Sequence, residues 1–188
     1  MVVVAVVSGL LAVVTVALFA PAIVAAGTAA GTGSAALGLL AFLAFAAASA
    51  VLAVIDLRTS RLPNRIVLPA LAGGIALLGA SSSLSGDWGQ LARAGTGMGA
   101  LFVVYYLTAA LSGGMGFGDV KLAAVIGLHL AWLGWAQLAI GVLSAFLLGG
   151  LVAVVLIALR RAGPRTAIPF GPWMLAGAWL GVIVGAVL

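Results

Sequence analysis

Three side chains in this sequence can carry a negative charge: Asp56, Asp87 and Asp119. Asp56 follows the unbroken apolar run AVLAVI, and Asp119 opens the run VKLAAVIGL. A carboxylate at the centre of a membrane helix costs about 2.5–3.5 kcal/mol, and less near the interface, so it is kept there for a reason. Asp87 is different, because it sits between Gly86 and Trp88 in a short polar stretch and reads as a solvated turn residue. Two carboxylates sharing one site do not ionise together easily. One can then act as base on a water while the other, protonated, polarises a carbonyl. That is acid–base hydrolysis, and it calls for neither a metal nor a cofactor. The chain has no cysteine, which removes thiol nucleophiles, disulfides and thiolate zinc sites, and its single histidine leaves no basis for a histidine-rich metal centre.

The elements that must position these carboxylates follow from composition. Of 188 residues, 65% are hydrophobic and 6% charged, too little polar surface for a soluble domain. The apolar runs are continuous and reach the roughly 20 residues that cross a hydrocarbon core about 30 Å thick, which selects helices over a barrel. The sequence therefore predicts an all-α, polytopic transmembrane bundle, a single domain over 1–188 with no soluble domain and no repeat. Seven spans are expected, near 2–26 (kinked at Pro21), 35–55, 66–84, 95–111, 119–135, 136–159 and 170–188. Residues 27–34, 85–93 and 112–118 read as loops. The fifth and sixth spans join almost directly, so six spans with one re-entrant piece is the alternative.

Charge placement gives the orientation. Arg58, Arg61, Arg65, Lys121, Arg160, Arg161 and Arg165 fall on one side of an alternating seven-span chain, and only Arg93 falls on the other. By the positive-inside rule the first group faces the cytoplasm, with the N-terminus cytoplasmic as well. Basic residues so dispersed make no nucleic-acid-binding face; their partner is the lipid bilayer.

Two spans separate Asp56 from Asp119, and an even number of crossings returns the chain to the same face. Both carboxylates then lie at cytoplasmic helix ends and can meet. Helix dipoles favour the charge on Asp119, at a helix N-terminus, and the shared proton on Asp56, at a helix C-terminus. Spacing alone also fits a plainer reading, in which the two aspartates pair with Arg58, Arg61 or Lys121 as topology anchors. The string GGMGFGD bears on the choice. Gly113, Gly114, Gly116 and Gly118 crowd the turn before Asp119, and glycine there permits both unusual backbone angles and close approach by a substrate.

The string GMGFGDVKL resembles the GxGD signature of type IV prepilin peptidases. The stretch IDLRTSRLPN, from Ile55 to Asn64, is similar to that family's first aspartate motif, and IPFGPWMLAGAW, from Ile168 to Trp179, to its late Pro-Phe-Gly-Pro element. The resemblance implies an intramembrane aspartic endopeptidase of the bacterial inner membrane, cutting prepilins or pseudopilins behind a short basic leader. It places the catalytic pair on Asp56 and Asp119. Gly116 and Gly118 become the glycines of GxGD, and Lys121 the lysine that often follows. Larger members also methylate the cleaved pilin through a domain with paired CxxC motifs. Without cysteine, this chain resembles the short, peptidase-only forms that process Flp- or Tad-type pilins. Presenilin-type proteases carry a Tyr-Asp element where this chain has Ile55-Asp56. A small transporter or channel that runs ions past the two aspartates is the rival from another class.

Other residues shape the expected site. Pro63 and Asn64 are read as ending the loop and capping the third span, and Pro169, Phe170, Gly171 and Pro172 as a stiff turn that helps wall the site. His129 is read as a buried, hydrogen-bonded core residue, Tyr105 and Tyr106 as packing, and Arg58, Arg61 and Arg65 as orientation-setting lipid contacts.

Overall fold

The computed structural model describes residues 9–17, 20, 29–112, 115–160 and 169–185. Among them the chain is helical and has no strand. Helix α1 covers residues 9–17. It is followed by α2 (Ala29–Thr59), α3 (Asn64–Ser85), α4 (Trp88–Ser112), α5 (Phe117–Leu133), α6 (Trp135–Ala158) and α7 (Gly171–Gly185). The Pro21 kink lies outside the described residues. The expected all-α membrane bundle is what the chain forms. Helices α2, α3, α4 and α6 are long and apolar enough to cross a bilayer, whereas α7 has 15 residues and α5 has 17.

The shortness of α5 has a physical reason. At 1.5 Å per residue it is about 25 Å long, just under a hydrocarbon core. Its residues Val120 and Leu122 through Trp132 are all buried, so protein rather than lipid surrounds it. An all-round apolar helix of this kind belongs at the centre of a bundle. Helix α4 lies along it, and α3, α6 and α7 also touch it. Glycine sets the closest approach: a side chain at Gly97 of α4 would meet Ala131, and one at Gly127 of α5 would meet the Gly97 backbone. Helices α6 and α7 pair in the same way through Gly141, Gly177 and Gly181. Small residues let membrane helices gain dispersion energy at short range where no hydrophobic drive acts between them.

Three expectations change. Residues 27–34 were expected as a loop, but α2 already begins at Ala29. Ser34 donates to the Ser81 carbonyl (2.9 Å) and Ser81 to the Ser34 carbonyl (2.8 Å), so these hydroxyls join α2 to α3 instead of facing water. The loop expected over 85–93 shrinks to Gly86 and Asp87, because α4 starts at Trp88. Gly86, with φ 75°, closes α3 in the left-handed conformation. Asp87 is indeed a turn residue, its Oδ1 accepting the Gln90 N–H (2.9 Å) as a helix N-cap. Arg93 is therefore helical rather than a loop charge. Its Nε donates to the Ala131 carbonyl (2.7 Å) and its Nη2 to that of Trp132 (2.9 Å), satisfying carbonyls that the end of α5 leaves open.

Arg93→Ala is expected to lower stability by about 1.5–3 kcal/mol, the worth of hydrogen bonds made by a charged donor. Thermal unfolding in detergent measures this, and an unchanged midpoint would show that the clamp carries no weight. His129 is buried as expected: its Nδ1 lies 2.8 Å from the Val125 carbonyl and its ring stacks on Phe45 at 4.5 Å.

Candidate active site

Asp56 sits on the last turn of α2, 4% exposed, with its carbonyl accepting the Ser60 N–H (2.8 Å). The chain reverses there because Ser60 adopts φ 49°, which ends the helix, and the Thr59 hydroxyl bonds back to the Ile55 carbonyl. Arg61 and Leu62 then lead to Pro63, whose extended conformation makes it the N-cap of α3. The Pro63 carbonyl accepts the Ile66 and Val67 amides (3.0 and 3.2 Å). Asn64 was expected to share this capping role and does not. It is the first residue inside α3, and its Oδ1 accepts instead from Lys121 Nζ at 2.9 Å. Lys121 lies on α5, so this bond fastens the start of α3 to the helix that carries Asp119.

Gly116 is the N-cap of α5 and Asp119 stands in its first turn, its N–H donating to the Gly116 carbonyl (3.0 Å). A side chain at Gly118 would come within 2.9 Å of Leu62 Cβ, so a glycine is needed where the α2–α3 loop rests on α5. Asp56 and Asp119, expected on one face, open onto the same space. They line one cavity of about 290 Å³ together with Ser60, Arg61, Leu62, Gly116, Phe117 and Gly118.

The late turn reaches the same place. Gly171 is the first residue of α7, and its N–H donates to Asp56 Oδ2 at 3.1 Å. Asp56 therefore faces a helix N-terminus too, which removes the dipole asymmetry that separated it from Asp119 in the sequence. A side chain at Gly171 would place its Cβ 2.6 Å from Asp56 Oδ2. Pro169 and Phe170 approach as the segment leading into that donor, and Phe170 packs its ring against Phe146 (5.5 Å) and Tyr105 (6.5 Å). Pro172 follows on α7, its lining directed to a second, apolar cavity. The cavity beside the aspartates thus brings together Asp56, Asp119, Gly116 and Gly118. Gly171 contacts Asp56 and Lys121 bonds Asn64 next to Pro63, whereas Pro169, Phe170 and Pro172 do not line the cavity.

Four lining residues escaped the sequence reading. Arg61 was assigned to lipid and Ser60, Leu62 and Phe117 were not singled out, although all four adjoin the two aspartate strings. Tyr105, read as packing, is buried and packs against Phe146 and Phe170. Among the described residues no group of three or more His, Cys, Asp or Glu side chains is placed to hold a metal.

The chain's residues 43–154, which contain both aspartates and the loops that carry them, match the family model described as the type IV leader peptidase family. The chain belongs to that family. It is 38% identical over 152 residues to a prepilin leader peptidase/N-methyltransferase of Aeromonas hydrophila, covering 79% of this chain and 50% of the relative. Proteins of the same description from Pseudomonas putida (38% over 140 residues, 71% and 46%) and Burkholderia pseudomallei strain K96243 (35% over 176 residues, 90% and 50%) are similar to it as well. The chain spans about half the length of these relatives. No solved structure matches it. As a leader-peptidase family member with several long apolar helices, it is a multi-pass membrane protein.

Because Lys121 and Asn64 bond to each other, replacing either with an apolar residue is expected to cost about 0.5–1.5 kcal/mol. The double variant should cost little more than one single variant. A double-mutant cycle on thermal stability reads this directly, and strictly additive losses would show that the two side chains act separately.

Proposed function

We propose that this protein is an intramembrane aspartic endopeptidase that removes the leader from prepilins or pseudopilins at the cytoplasmic face of the bacterial inner membrane. One observation carries the reading: two aspartates from different helices line a single cavity within a chain of the leader peptidase family. One carboxylate takes a proton from a water held between the pair, and the water oxygen attacks the scissile carbonyl carbon. The second carboxyl, protonated, passes its proton to the carbonyl oxygen as charge builds there, giving a neutral diol. As the C–N bond breaks, the first carboxyl gives its proton to the departing nitrogen and a diol hydroxyl returns one to the second, which restores the pair. The Gly171 N–H holds one oxygen of Asp56 throughout, which leaves the other free to face the water.

The positive-inside count supports a cytoplasmic site, since Arg58, Arg61 and Arg65 flank it. The lack of cysteine supports cleavage without methylation of the product. The test is purified protein in liposomes with a Flp-type or pseudopilin precursor, read by mass spectrometry. The expected product has lost its leader and carries no added methyl group. A precursor left intact by wild-type protein would overturn the peptidase reading, and a methylated product in the presence of S-adenosylmethionine would overturn the narrower one.

A further inference from the structure

Arg61 stands in the cavity wall with Asp56 and Asp119, on the short loop that joins α2 to α3. Its main chain is held at several points. The Ser60 N–H donates to the Asp56 carbonyl (2.8 Å), and the Thr59 hydroxyl lies 3.3 Å from the Arg61 carbonyl. Leu62 rests on Gly118, where an added Cβ would approach within 2.9 Å, and Pro63 caps α3. Ser60 takes φ 49°, a left-handed conformation that a residue other than glycine keeps only where its surroundings impose it. The side chain of Arg61 is not held. Among the described residues its guanidinium makes no ion pair and no hydrogen bond, and it is exposed. Lys121, two residues past Asp119, is engaged by Asn64. The loop thus fixes where Arg61 starts and leaves its planar fork of N–H donors open beside the two aspartates.

The mixture of charges in the wall selects what can bind there. An acidic side chain entering the cavity would meet two carboxylates, and a basic one would meet Arg61. A neutral peptide group meets neither penalty. It carries an acceptor in its carbonyl and a donor in its N–H, and the wall offers a partner for each. A peptide must also leave the helical conformation to be cut, because helical carbonyls are already occupied. Each carbonyl so freed needs a new donor once it is away from water. Arg61 and the Ser60 hydroxyl are the side-chain donors of the cavity wall.

We propose that Arg61 is a positioning residue for the peptide being cut, its guanidinium donating to a main-chain carbonyl close to the scissile bond. The proposal rests on the peptidase reading for the identity of the ligand. Recognition through the main chain holds the segment extended across the two aspartates and leaves the side chains around the cut free to vary.

Synthetic precursors in liposomes test this. Arg61→Met should lower kcat/KM by about tenfold to a hundredfold, chiefly through KM, which is what one hydrogen bond from a charged donor is worth. The thermal midpoint should not move, since the side chain has no bond within the fold to lose. Arg61→Lys keeps a charged donor and should recover part of the loss. The deciding arm replaces the peptide bonds flanking the scissile one, one at a time, with esters, whose carbonyls are weaker acceptors. At one position the ester should slow the wild-type protein severalfold and Arg61→Met no further. Equal ester effects in both proteins at every position, or wild-type kinetics in Arg61→Met, would overturn the proposal. So would a loss confined to precursors with an acidic residue near the cut, which assigns a carboxylate contact, or to liposomes of anionic lipid, which assigns a phosphate contact. Binding of a precursor whose scissile amide is reduced, and so cannot be cut, is measured alongside. Wild-type protein that cleaves no precursor would defeat the peptidase reading, and the same ester comparison on dissociation constants would then decide for or against Arg61.

Discussion

Asp56→Asn and Asp119→Asn proteins are each expected to process a precursor at least about a thousandfold more slowly than wild type. Positioned acid–base groups contribute about 10²–10⁴-fold each, and in the proposed mechanism the two roles are coupled through one water. Asparagine keeps the size and planarity of the side chain. The Gly171 N–H can still donate to the amide oxygen at position 56, so the cavity should keep its shape. What is lost is the ability to take up or release a proton. Groups that act as a unit lose function together, so the double variant should be no slower than the slower single one. Single-turnover rates in liposomes, with thermal midpoints as the control for folding, measure this. Either variant working within tenfold of wild type would remove that residue from the chemistry. A double variant slower than both singles by the product of their losses would show two independent roles rather than a shared water.

Gly171→Ala is the second large effect, and it separates stability from activity. Alanine is favoured over glycine inside a helix by about 1 kcal/mol, so α7 should not weaken. Its backbone N–H also remains. Yet the new Cβ would stand 2.6 Å from Asp56 Oδ2 and 3.2 Å from its Cγ, distances that force the carboxylate to move. Displacement of a reacting group by about 1 Å can cost on the order of 100-fold in rate. The variant should therefore lose about two orders of magnitude in kcat with a thermal midpoint within a few degrees of wild type. A fully active Gly171→Ala protein would mean that the Gly171–Asp56 contact does not hold the carboxylate in its working position.

Much of the site was written in local strings, because its key features are local. Asp56 and Asp119 stand out as charges at the ends of apolar runs, and Gly116 and Gly118 as glycines crowding the turn before Asp119, where Leu62 leaves little room for a side chain at Gly118. The parity of two intervening spans was enough to put both aspartates on one face. Contacts between distant residues were not legible in the same way. Nothing near Asn64 says that its amide faces Lys121 fifty-seven positions on, and nothing near Gly171 marks its N–H as a donor to Asp56. The loop misread at 27–34 has a related cause. Serine and threonine end helices in water by offering the backbone other partners, and glycine by freeing it to bond water; in a bilayer there is no water to take those bonds. The helix continues, and Ser34 finds Ser81 on its neighbour instead.

The enclosure of α5 by its own protein has a consequence for how this molecule relates to different membranes. A lipid-facing helix answers a thicker or thinner bilayer by tilting or by distorting the lipid around it. Helix α5 meets almost no lipid, and the end of it that bears Asp119 is tied to α3 through Lys121 and Asn64. The outer helices can lean while the start of α5, with Asp119, keeps its place against the start of α3. A change in bilayer thickness is then taken up first by the lipid-facing shell, and reaches the helix that carries Asp119 last.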